Sequence, residues 1–284
     1  MISRRTVMAG SALLLPSFAH AADASIAALE KQSGARIGVA ALDTGTGRRI
    51  SNREHERFLM CSTFKLSLAA ATLARSDAGR ENLDRVIHYE KSQLLPVSPA
   101  TTRNQATGMK IADLCQAAVI YSDNTAANLL LAALGGPGAV TAFWRSLGDP
   151  VSRLDDIELK LNVPDGERNT ATPASMLGNL HKMLLGKALS PVSRMRLLQW
   201  MHENTTGGAM LRAGLPSGWK VGDKTGRANG KDPRAYATND LAIVTPPGRK
   251  PILIVCYTQG GPSDPDACPA MVAAVGKIVA ERFA

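Results

Sequence analysis

The chain has 284 residues, 45% of them hydrophobic and 20% charged, the balance of a globular protein long enough for one large domain or two intertwined ones. Its formal net charge is +9, yet aromatic residues make up only 4% and the Lys and Arg are scattered; this argues against a nucleic-acid surface and for a basic site mouth or a solvated basic surface. Four cysteines with no C-x-x-C, and five histidines with no cluster, argue against a zinc hydrolase.

The N-terminus reads as an export signal. Ser3-Arg4-Arg5-Thr6 precedes an apolar stretch through Leu13, Leu14 and Leu15, and Ala19-His20-Ala21 is a small-x-small cleavage site. Cleavage after Ala21 is expected, with a mature start at Ala22. The paired arginines suit the twin-arginine route, while Val7, where that motif prefers an aromatic, leaves Sec export open. No later apolar run is long enough to span a bilayer, so the expected product is periplasmic or secreted, without a membrane anchor.

After the signal, residues 25–32 read as a helix. Residues 36–43 read as a strand, Thr44-Gly45-Thr46-Gly47 as a turn, and 48–52 as the returning strand of a hairpin. From Ser62 to about Met201 the pattern is mostly helical, with predicted helices at 62–75, 109–121, 125–134, 137–147, 173–185 and 191–201. Thr172 before Pro173 is a helix-start signal. Strands return at 219–225, 236–245 and 252–258. A helix at 270–282, apolar at Met271, Val272, Val275, Ile278 and Val279, closes the chain.

The predicted fold is α/β in the α+β sense: an antiparallel sheet flanked by helices, plus an all-helical domain. Residues 22–53 and 205–284 would form the discontinuous α/β domain and 54–204 the helical one, with the site in the cleft between them. Cys115 falls on an apolar helix stripe with Ile111, Leu114 and Ala118, which points to packing. Cys256 lies in a strand and Cys268 begins a helix; a disulfide between them is left open.

Chemistry concentrates in short motifs. Ser62-Thr63-Phe64-Lys65 comes first, then Ser122-Asp123-Asn124, then Lys224-Thr225-Gly226. Singly they are weak: Lys65 alone would be an ordinary solvated helix lysine, and Asn124 alone a helix cap. In the order S-x-x-K, S-D-N, K-T-G they mark serine acyl-enzymes. A serine hydroxyl needs a neighbouring base, and Lys65 would lie one turn along the helix that Ser62 opens. The start of that helix also offers free N–H groups where an oxyanion would form.

With those motifs the chain resembles the class A serine β-lactamases over nearly all of the mature sequence, a fold shared with D,D-peptidases. Tyr121-Ser122-Asp123-Asn124-Thr125-Ala126-Ala127-Asn128 is similar to the family's extended signature, as are Val151-Ser152-Arg153-Leu154-Asp155 followed by Glu158 and Asn162, and Thr238-Asn239-Asp240. The resemblance implies Ser62 as nucleophile, Lys65 or Glu158 as its base, and Ser122 as proton donor to the leaving nitrogen. Backbone N–H groups of Ser62 and Arg227 would make the oxyanion hole, and Asn124 would hold the substrate's side-chain amide. Lys224, Thr225 and Gly226 would receive the substrate carboxylate, with Arg227 or Arg234 as the arginine the family often adds there. Glu158 and Asn162, four residues apart on a helical turn, would hold the hydrolytic water. It implies no cofactor or metal, and small β-lactams as the partners of a monomer.

The chain also departs from the family's pattern. Leu159 follows Glu158 where proline is common, and Val97 precedes Ser98-Pro99 where an aromatic often flanks the site. Arg153 matches half of an ion pair that commonly closes the loop, but Asn169 replaces its aspartate; a looser loop is expected, with Asn169→Asp raising the melting temperature. Arg227 to Arg234 is longer than the usual link between its strands. Cys61 matches a cysteine of a carbapenem-hydrolysing subgroup, but its usual partner position holds Ala228, so that disulfide is not expected. The competing readings are a D,D-peptidase without the Glu158 water, a penicillin-sensing receptor domain and a non-enzymatic scaffold.

Overall fold

A computed structural model describes residues 24–230, 236–262, 264 and 266–284. The expected signal over 1–21 and the candidate Arg234 lie outside them. The chain begins with helix α1 (Ala24–Ser33) and strands β1 (Arg36–Asp43) and β2 (Arg49–Asn52). Asp43 builds the hairpin turn, its carboxylate accepting the N–H groups of Gly45 and Thr46. Next come β3 (Phe58–Leu59), a 3-10 turn (Cys61–Thr63), α2 (Phe64–Asp77), β4 (Val86–Ile87), α3 (Pro99–Arg103) and β5 (Met109–Lys110). Helices α4 (Ile111–Ile120), α5 (Asn124–Leu134) and α6 (Pro137–Ser146) follow, then β6 (Thr170–Ala171), α7 (Pro173–Leu184), α8 (Pro191–His202) and the short α9 (Leu211–Gly214). Strands β7 (Lys220–Ala228), β8 (Ala237–Thr245) and β9 (Ile252–Gln259) and helix α10 (Cys268–Phe283) complete the chain.

The main sheet has the order β2-β1-β9-β8-β7 and is antiparallel throughout. Its centre joins the two ends of the chain, since β1 pairs along its whole length with β9, from Arg36 opposite Gln259 to Asp43 opposite Ile252. Alternation along β9 explains why both faces are covered. Leu253, Val255 and Tyr257 enter the core shared with α2, α4, α5, α7 and α8, whereas Ile252, Ile254 and Cys256 enter the core under α1 and α10. Each such large aliphatic side chain stabilises the fold by about 1.5–3 kcal/mol through burial. Gly38 makes room on the first face, because a Cβ there would stand 2.4 Å from the Phe58 ring.

Residues 54–204 are mainly helical but also carry two short antiparallel ladders, β3 with β6 and β4 with β5, which the sequence pattern does not anticipate. The second ladder explains why the helix expected from Met109 starts at Ile111. Thr172 does cap α7, accepting from Ser175 N with Pro173 in the first turn. At α5 the cap is Asp123 rather than Asn124. The Asp123 carboxylate accepts from Ala126 N, Ala100 N and Thr101 N and so ties α3 to α5. All four cysteines are buried free thiols, so the disulfide left open between Cys256 and Cys268 is not formed.

Candidate active site

Ser62 sits in the 3-10 turn that leads into α2, not at the first α-helical residue. Lys65 lies three residues on, in the first turn of α2, a spacing that brings its side chain beside Ser62. The turn is pinned from below. Asn239 on β8 donates its amide to the carbonyls of Leu59 and Met60, at 2.8 and 3.1 Å. Gly226 on β7 lies so close that a Cβ there would be 2.8 Å from Met60 O and 2.9 Å from Ser62 N. Cys61 has φ +48°, a left-handed conformation costly for a residue other than glycine and held by these contacts.

Lys65 is the hub of the site. Its Nζ is buried and lies 2.9 Å from Ser62 Oγ, 2.8 Å from Ser122 O, 2.6 Å from Asn124 Oδ1 and 2.9 Å from Glu158 Oε1. An ammonium has three protons for these acceptors. Burial pushes Lys65 below the ordinary lysine range, and the Glu158 carboxylate opposes that shift. Ser62 Oγ also reaches Glu158 Oε1, at 3.2 Å. Ser122, held at φ +57°, turns its Oγ toward a second buried amine, Lys224 Nζ, at 3.0 Å. Lys224 further donates to Thr225 O at 2.7 Å. Burial, with the Lys65 charge adding to it, lowers Lys224 to about 7.

Glu158 is presented by a segment with little regular structure. Asn128 brackets it, accepting from Glu158 N and donating to Glu158 O, both at 2.9 Å. Asn162 donates to Glu158 Oε2 at 2.8 Å, while its own Oδ1 is buried with no hydrogen-bond partner. The Glu158–Leu159 peptide is cis, with leucine where the family commonly has proline. The segment is not left without a charge anchor. Arg153 pairs with Asp155, and Asp156 with both Arg168 and Lys160. Asn169 accepts from the N–H groups of Asp155 and Asp156 and donates Nδ2 to Asp156 Oδ2. Hydrogen bonds from Lys160, Asn169 and Arg168 hold the Asp156 carboxyl well below the usual range.

Ser62, Lys65, Ser122, Asn124, Glu158, Asn162, Lys224, Thr225 and Gly226 thus fall into one cluster. Thr225 hydrogen-bonds through its hydroxyl to Thr206. Arg227 contributes differently from the rest. Strand alternation puts its side chain on the face of Thr225, opposite that of Lys224 and Gly226, and its charge is felt at Cys268 on α10. Val97 is exposed and supplies no aromatic wall. Sequence reasoning gave no role to Asn128, Asn239 or Thr206. Asn128 lies four residues after Asn124 on α5, a spacing that puts both on one face and was the available signal. Asn239 falls in the family-like Thr238-Asn239-Asp240, which signals its position but not its contact; nothing local marks Thr206.

A sequence model of the β-lactamase enzyme family matches residues 21–283. The carbapenem-hydrolyzing β-lactamase KPC of Klebsiella oxytoca is 46% identical over 258 residues, covering 90% of this chain and 86% of that protein. β-Lactamase L2 of Stenotrophomonas maltophilia is 44% identical over 286 residues, covering 94% and 93%. Among solved structures, an ancestral (GNCA) class A β-lactamase superposes with a TM-score of 0.87 at 54% identity, covering 91% of this chain and 98% of that one. Likeness of this extent, in sequence and in fold, shows that the chain belongs to the class A serine β-lactamase family and is a β-lactam hydrolase.

Proposed function

We propose that the enzyme opens penicillins and cephalosporins by acylating Ser62, and then frees it with a water held by Glu158 and Asn162. The observation that carries the second step is Asn162 Oδ1. It is a buried acceptor without a partner, on the side chain that already binds Glu158 Oε2. A water donating one proton to Asn162 Oδ1 and the other to Glu158 satisfies it and places the nucleophile beside its base.

Acylation begins when Ser62 loses its proton. Lys65 Nζ and Glu158 Oε1 both lie within reach, at 2.9 and 3.2 Å. A charged ammonium has no lone pair, so Lys65 acts as base only in its neutral form, reached by passing a proton to Glu158, its partner at 2.9 Å, or, where Glu158 is removed, to solvent. Either route leaves the Ser62 proton on the Lys65–Glu158 pair, and burial of Lys65 makes the neutral amine accessible. Ser62 Oγ then bonds the lactam carbonyl carbon. The backbone N–H groups of Ser62 and Arg227 receive the oxyanion, and the close approach of Gly226 to Ser62 N supports that pairing. The C–N bond breaks as Ser122 gives its proton to the nitrogen, and Lys224 or Lys65 replaces that proton. Lys224 and Thr225 hold the substrate carboxylate, and Asn124 its side-chain amide. In deacylation Glu158 takes a proton from the water, the hydroxide attacks the ester carbon, and Ser62 Oγ leaves and is reprotonated.

The same reading includes export with a mature start at Ala22, which the intact mass of the periplasmic protein checks. It also includes a discontinuous α/β domain over 22–53 and 205–284, with a helical domain over 54–204. Glu158→Ala tests the mechanism. Exposed to a penicillin and followed by mass spectrometry, the variant accumulates a stable protein–penicillin adduct, and turnover falls by about 10²–10⁴. Unchanged turnover would overturn the assignment of Glu158.

A further inference from the structure

The face of β7 and β8 that Thr225 shares, opposite Lys224, carries two acids to which the reaction gives no task. Asp223 and Asp240 are both fully buried. Asp240 stands across the ladder from Thr225, and Asp223 from Ala242, so the two carboxyls are diagonal neighbours on one face of the sheet. Helix α9 covers them. Leu211 N donates to Asp240 Oδ2 at 3.1 Å, and Arg212 pairs with Asp223 Oδ1. Their other oxygens, Asp223 Oδ2 and Asp240 Oδ1, are buried and have no hydrogen-bond partner. Gly207 seals the space, since a Cβ there would fall 1.5 Å from Asp223 Oδ2. Two adjacent buried carboxylates facing one guanidinium repel, and a single proton between the orphan oxygens removes both the repulsion and the two unmet acceptors.

We propose that Asp240 holds that proton and donates Oδ1–H to Asp223 Oδ2, and that the singly charged pair is the positioning element that keeps Lys224, on the front of the same strand, cationic. The groups around the pair are His202 from α8, Arg212 from α9, Lys224 from β7 and Cys256 from β9. Burial, then the Asp223 charge, lifts Asp240 well above the carboxylate range. The Asp223 carboxylate in turn opposes the burial that lowers Lys224. The link to Lys224 rests on the role proposed for that residue; the shared proton does not.

In wild-type enzyme labelled with [13C]aspartate, NMR detects one aspartate carboxyl still protonated at pH 7, and Asp240→Asn removes that signal. No such signal in the wild type overturns the proposal, even where a variant fails to fold. Asp240→Asn keeps a donor at this position. It folds, leaves the alkaline limb of kcat/KM in place, and abolishes a one-proton pH dependence of stability. The sign is set by linkage: with the folded pKa raised, wild-type stability is fully present below the usual carboxylate range and is lost as pH rises through the folded value. Asp223→Asn removes the charge behind Lys224 and moves the alkaline limb to lower pH by about one unit, the scale of one nearby charge. An unmoved limb in Asp223→Asn, beside a protonated aspartate in the wild type, overturns the link to Lys224. If the wild type shows no alkaline limb at all, the role of Lys224 fails while the labelled carboxyl still decides the shared proton.

Discussion

The turn that carries Ser62 and the segment that carries Glu158 meet across Lys65, yet they are held in place by different means. Ser62 lies between a short ladder and α2, whose residues from Phe64 to Leu73 are all buried, with β7 and β8 pressed against the turn. Its position follows from backbone pairing and core packing. Between α6 and β6 the Glu158 segment has, among the described residues, only the 3-10 turn Lys160–Asn162 as regular structure. Leu154 and Leu161 anchor it in the core, but Ile157, Leu159 and Val163 are exposed. What places Glu158 is side-chain amides: Asn128 on its backbone, Asn162 on its carboxylate and Asn169 at the base. The proposed nucleophile is thus set by the fold as a whole, whereas the proposed base for hydrolysis is set by a few polar contacts. Damage to the two regions is expected to separate the two steps.

The largest effect is expected on the rigid side. Gly226→Ala puts a methyl group against backbone that cannot give way, so the turn and the oxyanion site shift together. Acylation falls by about 10²–10³, the scale of losing an oxyanion donor. Pre-steady-state acylation by a chromogenic cephalosporin measures it, and a rate within twofold of wild type would show that the turn is softer than its contacts imply. On the other side, Asn128→Ala removes both hydrogen bonds to the Glu158 backbone. Displacing the base by about 1 Å slows deacylation by up to about 10²-fold, while acylation changes less. Acyl-enzyme therefore accumulates in steady state, visible by quenched mass spectrometry. Equal losses in both steps would erase the contrast between the regions.

A third effect belongs to the rigid side and is smaller. Lys224 titrates at about 7 in the free enzyme. Above that pH it loses its proton and with it the attraction for a substrate carboxylate, so kcat/KM declines by up to tenfold per pH unit. The loss is in KM, because a bound carboxylate favours the ammonium. A kcat/KM profile flat through pH 9 would remove Lys224 from substrate binding.

The same contrast decides what was legible in the sequence. The sheet strands and long helices are visible because burial imposes a period, as in Ile252 to Tyr257, where alternate residues feed two cores. The motif residues are visible because proton transfer restricts both residue type and spacing. Contacts between segments distant in sequence leave no such trace. Nothing near Asn239 announces that its amide will hold the carbonyls of Leu59 and Met60, 180 and 179 residues away. The direction of the Arg227 side chain, by contrast, follows from alternation counted along β7 from Lys224 and was within reach of the sequence. The Glu158 segment is the hardest case, because its partners are chosen by side chains that several alternatives would satisfy. Asn169 read by analogy looks like half of a broken ion pair; in the structure it has a different partner on each side.

That misreading yields the smallest and sharpest prediction. If the segment merely lacked a charge pair, Asn169→Asp would restore it and raise the melting temperature. In the structure Arg153 is already engaged with Asp155, and Asn169 Nδ2 donates to Asp156 Oδ2 at 3.0 Å. Aspartate at 169 keeps the two backbone N–H bonds to Oδ1 but loses the donor and faces Asp156 with a second negative charge. The lost bond to a carboxylate is worth about 1.5–3 kcal/mol, partly offset by the stronger acceptor offered to Asp155 N and Asp156 N. A net loss of about 1 kcal/mol is expected, seen as a melting temperature lower by roughly 2–4 °C at neutral pH. Raising salt to about 1 M, where the Debye length is about 3 Å, should recover only a small part of it, since the Asp156 side chain is 9% exposed. A higher melting temperature would mean that Arg153 abandons Asp155 for the new carboxylate, and that the segment can exchange one ion pair for another without cost.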